Sequence, residues 1–378
     1  MVSGGGVWAH YAQPEWPDFT GRALGSSSTR AYTLMCRGCR APAISRETSY
    51  SRSSIDSNAM PDLGFDQRMR KGGIMFTVLL LIVVAFLLVV LSAFWFGGER
   101  GRLHHSTQAF FHEAGVGFRG LHGYIYLRWT PQYIKTLFRL TAASSKTTKA
   151  EHWMADRYHG KVLTHDHARA VVTLNLPITR RDLDQIVPYH TARDLVLQAP
   201  PDIVAYECVC RHGRATHCEP TRVCMVVGRP FTDFILEHRP QSAHRLTREE
   251  ALDLLEAEHQ RGHVHSAWFK DAMLNRFYAI CNCCKCCCGG IREMVERGVP
   301  LVASSGYVAQ VDTDACTNCG DCVDACPFQA MTFNDGAVVR TWERCMGCGV
   351  CEVKCQIGAI SMARDQRKGI PLDVRLLA

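Results

Sequence analysis

The alternation of apolar and polar positions divides the chain into unequal parts. Residues 1–73 carry no apolar period. Gly4–Gly6, Ser26–Ser28 and Ser51–Ser54 lie among scattered arginines, which predicts a disordered or non-native leader. Ile74 to Phe96 then run without a charge, dominated by Leu, Val, Ile and Phe. At about 1.5 Å per residue, a helix of that length crosses a hydrocarbon core of about 30 Å. Residues 74–96 therefore read as a transmembrane helix, with Trp95 and Phe96 at the interface. A cleaved signal peptide fits worse, because the run exceeds an h-region and Ser92-Ala93-Phe94 is a poor cleavage site.

Beyond the span the periods are shorter. Residues 99–150 form a basic juxtamembrane segment. Thr130-Pro131 is a good helix start, and Tyr133, Ile134, Leu137 and Phe138 fall on one face beside Lys135 and Arg139. Such a helix either lies on a membrane or docks on the protein surface. Residues 151–300 read as a Cys-rich domain with a possible additional metal site, of which 151–200 form mixed short elements. His165, Asp166 and His167 stand together near a helix start, where solvation outweighs metal binding. His190-Thr191-Ala192-Arg193 enters a short apolar helix, Leu195 to Leu197, ended by Pro200-Pro201. A better-marked helix opens with a Thr247/Glu250 capping box, turns Leu252, Leu254 and Leu255 inward, and stops at Gly262. Further on, Met331-Thr332-Phe333, Asn334-Asp335-Gly336 and Ala337-Val338-Val339 spell a hairpin. Residues 364–378 form a short tail with Arg367-Lys368 exposed and no functional reading.

Composition changes this picture through cysteine. There are 20, clustered rather than scattered, which points to thiolates held for metal in a reducing compartment and not to a disulfide framework. One run reads Cys316-x2-Cys319-x2-Cys322-x3-Cys326-Pro327 and a second Cys345-x2-Cys348-x2-Cys351-x3-Cys355-Gln356. The halves repeat each other as far as Ala330 and Ala359. One such run alone would also suit a zinc knuckle; two in tandem suit iron–sulfur clusters far better. Residues 307–363 resemble the bacterial two-cluster ferredoxins. The resemblance implies two [4Fe–4S] clusters with crossed ligation, the fourth cysteine of each run serving the other cluster. Cluster one then takes Cys316, Cys319, Cys322 and Cys355, and cluster two takes Cys345, Cys348, Cys351 and Cys326. The family usually has Pro after the last cysteine. Gln356 stands there instead, a change expected to affect potential or solvent access without removing a ligand.

Ten further cysteines lie upstream. Cys208-Val209-Cys210-Arg211 is followed by Cys218 and Cys224; later come Cys281, Cys283, Cys284, Cys286, Cys287 and Cys288 around Asn282 and Lys285. A Cys-rich core turn is the plain alternative, but adjacent cysteines cannot all point inward. Residues 155–378 resemble a largely uncharacterised group of iron–sulfur proteins that join C-x-C-R and C-N-C-C-x-C-C-C segments to a two-cluster ferredoxin. The ten thiols are expected to come together across the helical segment between them and hold a third iron–sulfur cluster, with zinc as the fallback. Arg211 and Lys285 are expected to favour their thiolates. The lone pair Cys36/Cys39 is weak evidence of metal.

The expected fold class is α+β: a single N-terminal transmembrane helix, a Cys-rich mixed α/β domain and a C-terminal ferredoxin-like two-cluster domain. Formal net charge is +7, and no basic-aromatic tract argues for nucleic acid. The one G-x-G-x-x-G, Gly115 to Gly120, follows no strand pattern, and there is neither a G-x4-G-K-[ST] nor a C-x-x-C-H, so no nucleotide, flavin or c-type haem site is visible. The sequence thus reads as a membrane-anchored electron carrier serving a redox partner protein. The alternative is an iron–sulfur oxidoreductase whose thiol or extra-cluster active site in 208–288 is fed by the ferredoxin domain; a redox sensor is weaker. Arg68, Arg70 and Lys71 before the span nearly balance Arg100 and Arg102 after it. A start at Met75 would tip the balance, and cluster assembly and the lack of a twin-arginine before the span agree, toward cytoplasmic C-terminal domains.

Overall fold

A computed structural model of the chain describes residues 64–95, 104–142, 149–181 and 183–378. Most of the leader, Cys36/Cys39 and the flanking Arg100 and Arg102 lie outside them. The apolar run belongs to a helix, Gly64–Trp95, that begins ten residues before Ile74. Its window Met75–Ser92 has a mean hydropathy of 3.1 and no buried residue. It is long and apolar enough to span a membrane.

Residues 109–378 make a separate compact unit. Its frame is a mixed seven-stranded sheet: β1 (Tyr158–Val162), β2 (Ile203–Tyr206), β3 (Cys224–Val227), β4 (Ala243–Arg245), β5 (Val264–Lys270), β6 (Arg276–Cys283) and β7 (Val302–Ala303). The spatial order is β4-β2-β3-β6-β5-β1-β7, antiparallel throughout except for the last pair. β5 is buried along its whole length and β6 nearly so, because both faces of the sheet are covered.

Strand alternation gives those faces different chemistry. Met225, Val227, Ala267, Phe269, Phe277 and Ile280 join an aliphatic core with the helix His165–Val172 and with Ala251 and Leu255. The opposite face carries Tyr158, Tyr206, Cys224, Trp268, Tyr278, Cys281 and Cys283. Helices Phe118–Arg128 and Thr130–Ala142 lie over that face. Tyr126 Oη is 2.7 Å from Tyr278 Oη, while Phe110 packs against Phe231 and Phe234.

Four expectations change here. First, residues 110–137 do not stand apart as a juxtamembrane segment: their apolar side chains complete the Cys-rich domain, and Ile134 and Leu137 face its interior cavity. Second, Thr130 does not cap its helix, because its hydroxyl donates back to the Tyr126 carbonyl at 2.6 Å. Third, Leu195–Leu197 is a strand rather than a helix, paired antiparallel with Ile178–Arg180; three residues close no helical turn of their own, whereas the ribbon satisfies their backbone. Fourth, the segment between Cys224 and Cys281 holds strands as well as helices, and pairing of β3 with β6 brings its ends together.

The capping box forms as expected. Thr247 Oγ1 accepts from Glu250 N at 3.1 Å, and Glu250 Oε2 accepts from Thr247 N at 2.8 Å. The helix Arg248–Gln260 ends before Gly262, whose φ of +81° suits glycine. Thr247→Ala should cost about 1 kcal/mol, read as a lowered denaturation midpoint, with faster hydrogen exchange confined to the first turn.

The C-terminal domain pairs β8 (Tyr307–Val311) with β11 (Ile360–Arg364), and β9 (Met331–Asn334) with β10 (Ala337–Arg340). Asp335 and Gly336, both at positive φ, form the two-residue hairpin turn between β9 and β10. The tail is structural: Leu372 and Val374 are buried in the aliphatic core of the larger sheet, and Arg375 Nη2 lies 2.6 Å from Asp166 Oδ2.

Candidate metal centres

The two cysteine runs build matching halves. Each places its third cysteine in a short helix, Asp321–Ala325 or Val350–Lys354, entered through a left-handed glycine, Gly320 or Gly349. The folding of the runs crosses them. Cys322 interacts most with Cys316, Cys319 and Cys355, and also with Cys351. The charges acting on Cys348 are those of Cys326, Cys351 and Cys345. The second quartet lines a cavity with Pro327, Phe328, Met331, Met346 and Met362.

The repeat extends to the hydrogen bonds. Ala330 N donates to Cys326 Sγ and Ala359 N to Cys355 Sγ, both at 3.2 Å; Ala309 N reaches Cys345 Sγ at 3.5 Å. N–H donors at ligand sulfur stabilise the reduced, more negative state of a cluster. Gly347 is required by space: a Cβ there would lie 2.2 Å from the Tyr307 carbonyl oxygen. Four thiols per quartet, amides on sulfur and a close backbone wrap are what a cubane needs, so the residues fit the group.

The quartets differ in exposure. Cys326, Cys345 and Cys351 are buried, whereas Cys319 is exposed and Cys316 and Cys355 are half-buried. Gln356 is exposed beside Cys355. On exposure to air, the centre at Cys316, Cys319, Cys322 and Cys355 should bleach first. Time-resolved paramagnetic resonance of the reduced protein checks the order, and simultaneous loss would contradict it.

The ten upstream thiols separate into two groups. Cys218, Cys284, Cys286 and Cys287 offer four sulfurs within 4.8 Å of one another. The other six form a closed ring of neighbours. Cys208 neighbours Cys210 and Cys224, Cys224 neighbours Cys281, Cys281 neighbours Cys283, Cys283 neighbours Cys288, and Cys288 neighbours Cys210. Local structure explains the division. Along β6, Cys281 and Cys283 share one face; Cys284–Cys287 then leave the strand in a turn, and Cys288 immediately precedes the helix Gly289–Arg297.

The six-thiol ring, with Cys284 and Cys287, lines a cavity together with an aromatic wall of Tyr126, Tyr158, Tyr206, Trp268 and Tyr278. The aromatic wall escaped sequence reading because its members come from distant segments with no shared spacing.

Arg211 favours thiolates as expected, but those of Cys208 and Cys284 and not of its neighbour Cys210. It is fully buried, with Nη2 3.1 Å from Glu258 Oε2 and 3.4 Å from the Asn282 carbonyl, and Nη1 donating to the Pro220 carbonyl. Its positive charge acts on Cys284 and Cys208. The Cys284 thiol is pulled down to about 5, first by its hydrogen bond with Cys286 and then by Arg211 against the cost of burial. Hydrogen bonds from Cys224 and Cys283 draw Cys281 down to about 7, while burial pushes Cys218 up to about 12. Lys285 does not serve the thiols: its Nζ donates to the Asp324 carbonyl at 2.7 Å, tying the Cys-rich turn to the helix that carries Cys322.

The comparisons with known proteins fall on the C-terminal domain. Residues 309–356 match the 4Fe-4S dicluster domain model. The chain is 39% identical over 56 residues to a ferredoxin of Pyrobaculum islandicum, covering 15% of this chain and 52% of that protein. It is 40% identical over 50 residues to Ferredoxin-1 of Caulobacter vibrioides, 13% of this chain and 44% of that one. Hydrogenase-4 component A of Escherichia coli is 30% identical over 87 residues, 21% of this chain and 41% of its own length. The chain thus spans about half the length of these relatives. The C-terminal domain is a ferredoxin-type iron–sulfur domain carrying [4Fe–4S] clusters.

Proposed function

We propose that this protein is a membrane-anchored iron–sulfur electron-transfer protein. The observation that carries the reading is the crossed grouping of eight cysteines into two quartets within one small domain. A [4Fe–4S] cluster, when bound, supplies a one-electron couple whose potential follows hydrogen bonding and burial. Here Ala330 and Ala359 supply the amide donors and the Met-lined pocket supplies the burial. Cluster one would be held by Cys316, Cys319, Cys322 and Cys355, and cluster two by Cys345, Cys348, Cys351 and Cys326. The helix over residues 74–96 would anchor the chain as a single pass, with the following domains in the cytoplasm near a redox partner protein. The likeness to a hydrogenase component is compatible with such a partner.

Cys218, Cys284, Cys286 and Cys287 would hold a third cluster. Lys285, within that turn, bonds the backbone beside cluster one, so the quartet lies on a route from the ferredoxin domain into the Cys-rich domain. A second reading, an oxidoreductase, is favoured by one observation: the cavity lined by eight thiols and five aromatic rings. In that reading the ferredoxin domain delivers electrons to the cavity.

Anaerobic purification with iron counting and paramagnetic resonance tests both. The carrier reading expects about four irons per quartet and spectra indifferent to added small thiols and disulfides. Iron confined to fewer than two quartets would overturn it; a signal that changes on adding a disulfide would favour the oxidoreductase.

A further inference from the structure

His165, His259 and His265 converge on the far side of the large sheet from the thiols. Each offers a ring nitrogen within 4.8 Å of the others. His165 begins the helix that Thr164 caps, His259 lies in the last turn of the helix Arg248–Gln260, and His265 is fully buried on β5. The rings of His165 and His259 stack at 4.1 Å between centroids.

The hydrogen bonds set the protons. Asn282 Nδ2 donates to the Val223 carbonyl at 2.7 Å, which turns Asn282 Oδ1 toward His265 Nδ1 at 2.6 Å. An amide oxygen only accepts, so Nδ1 of His265 carries the hydrogen and Nε2 carries a lone pair. On the other ring, Glu256 Oε2 lies 3.0 Å from His165 Nε2, and Gln260 Nε2 holds the second carboxylate oxygen at 2.8 Å. The carboxylate also accepts, so Nε2 of His165 carries the hydrogen and Nδ1 the lone pair. The two lone-pair nitrogens, His165 Nδ1 and His265 Nε2, face each other at 3.3 Å.

Two acceptors at that distance repel unless a cation lies between them. A metal ion is favoured, because two nitrogens about 2.0–2.1 Å from a tetrahedral zinc lie roughly 3.3–3.4 Å apart. Outer partners that fix the tautomer of each ring are the usual companions of metal-binding histidines.

We propose that His165, His259 and His265 form a mononuclear binding site for a late first-row divalent cation of the zinc type, with Glu256 and Asn282 orienting the rings. Three neutral imidazoles leave a fourth position open, the donor pattern of reactive rather than structural zinc. Glu256 pairs with a ring nitrogen that points away from the ion, so it is a positioning residue and the donor set is not two histidines with a carboxylate. The site is independent of the thiols: along β6, Asn282 points to one face and Cys281 and Cys283 to the other.

Zinc itself is the probe. Full-length protein purified without oxygen, with its clusters loaded so that thiols are occupied, is equilibrated with zinc, dialysed and assayed for metal. X-ray absorption at the zinc edge then separates nitrogen neighbours at about 2.0 Å from sulfur at about 2.3 Å. The expected result is about one nitrogen-ligated zinc per chain, lost in His165→Ala and in His259→Ala. Both side chains are only partly buried, and unchanged iron content and circular dichroism would show that these variants fold. Glu256→Gln should weaken binding about 10–100-fold while retaining the nitrogen shell at saturating zinc. Absence of zinc, a sulfur-only shell, or nitrogen-ligated zinc unaffected by both alanine substitutions would overturn the site.

Discussion

Cys326→Ser should remove the cluster that its own run does not build. In the linear sequence Cys326 follows Cys316, Cys319 and Cys322. In the folded domain it acts on Cys348 and Cys351, while Cys322 interacts most with Cys316, Cys319 and Cys355. The expected outcome is loss of about four irons and of the spectrum of the buried centre, with the exposed centre retained. Cys355→Ser should do the reverse. Loss of cluster one alone in the Cys326 variant would refute crossed ligation. Because metal binding and folding are coupled in small metal domains, each substitution should also loosen the half of the domain that loses its cluster. Proteolysis should therefore cut near residues 345–351 first in the Cys326 variant.

Arg211→Met should be the most damaging single change outside the ferredoxin domain. The side chain is fully exchanged from water into protein, and its acceptors come from three distant segments: Pro220, Glu258 and Asn282. Glu258 is also buried, and burial pushes its carboxyl up. The hydrogen bonds and charges of His263 and Arg211 outweigh this and hold it below the usual carboxylate range. Removing Arg211 leaves that carboxylate and the Cys208 and Cys284 sulfurs short of positive charge. Breaking a buried pair in this way typically costs about 3–5 kcal/mol. The measurement is the denaturant midpoint of the anaerobically purified protein, together with iron content. Arg211→Lys keeps the charge but lacks the planar fork that reaches several acceptors at once, so it should fall between wild type and Arg211→Met. A midpoint unchanged by Arg211→Met would show that the buried network contributes nothing to stability.

Local features were legible in the sequence because their causes are local. The apolar run of Met75–Ser92 needs only length and hydropathy to be read as a helix. The Thr247/Glu250 box and the Asp335-Gly336 turn are written in neighbouring residues, and both form. The tandem cysteine spacing identifies the C-terminal domain because cluster ligation demands thiolates at short fixed intervals. Leu195–Leu197 is not legible in sequence because three residues carry no period, and strand pairing with Ile178–Arg180 decides its conformation. Residues 110–137 looked separate because nothing in their own pattern names the sheet face that they cover.

The sequence by itself determined that this chain has an apolar helix, a ferredoxin-type cysteine repeat and ten more thiols near one another. Only the tertiary structure decided how those thiols divide. Strand alternation along β6 sends Cys281 and Cys283 into the cavity and Asn282 to the opposite face, while the turn after it gathers Cys284, Cys286 and Cys287 with Cys218. It likewise decided that Lys285 would bond the ferredoxin domain and that Arg211 would serve Glu258 and Cys284. The same pairing of β5 with β6 sets His265 opposite Asn282, and two helices bring His165 and His259 to it. Spacing along a chain fixes what adjacent residues can share, whereas the register between strands selects which distant residues meet.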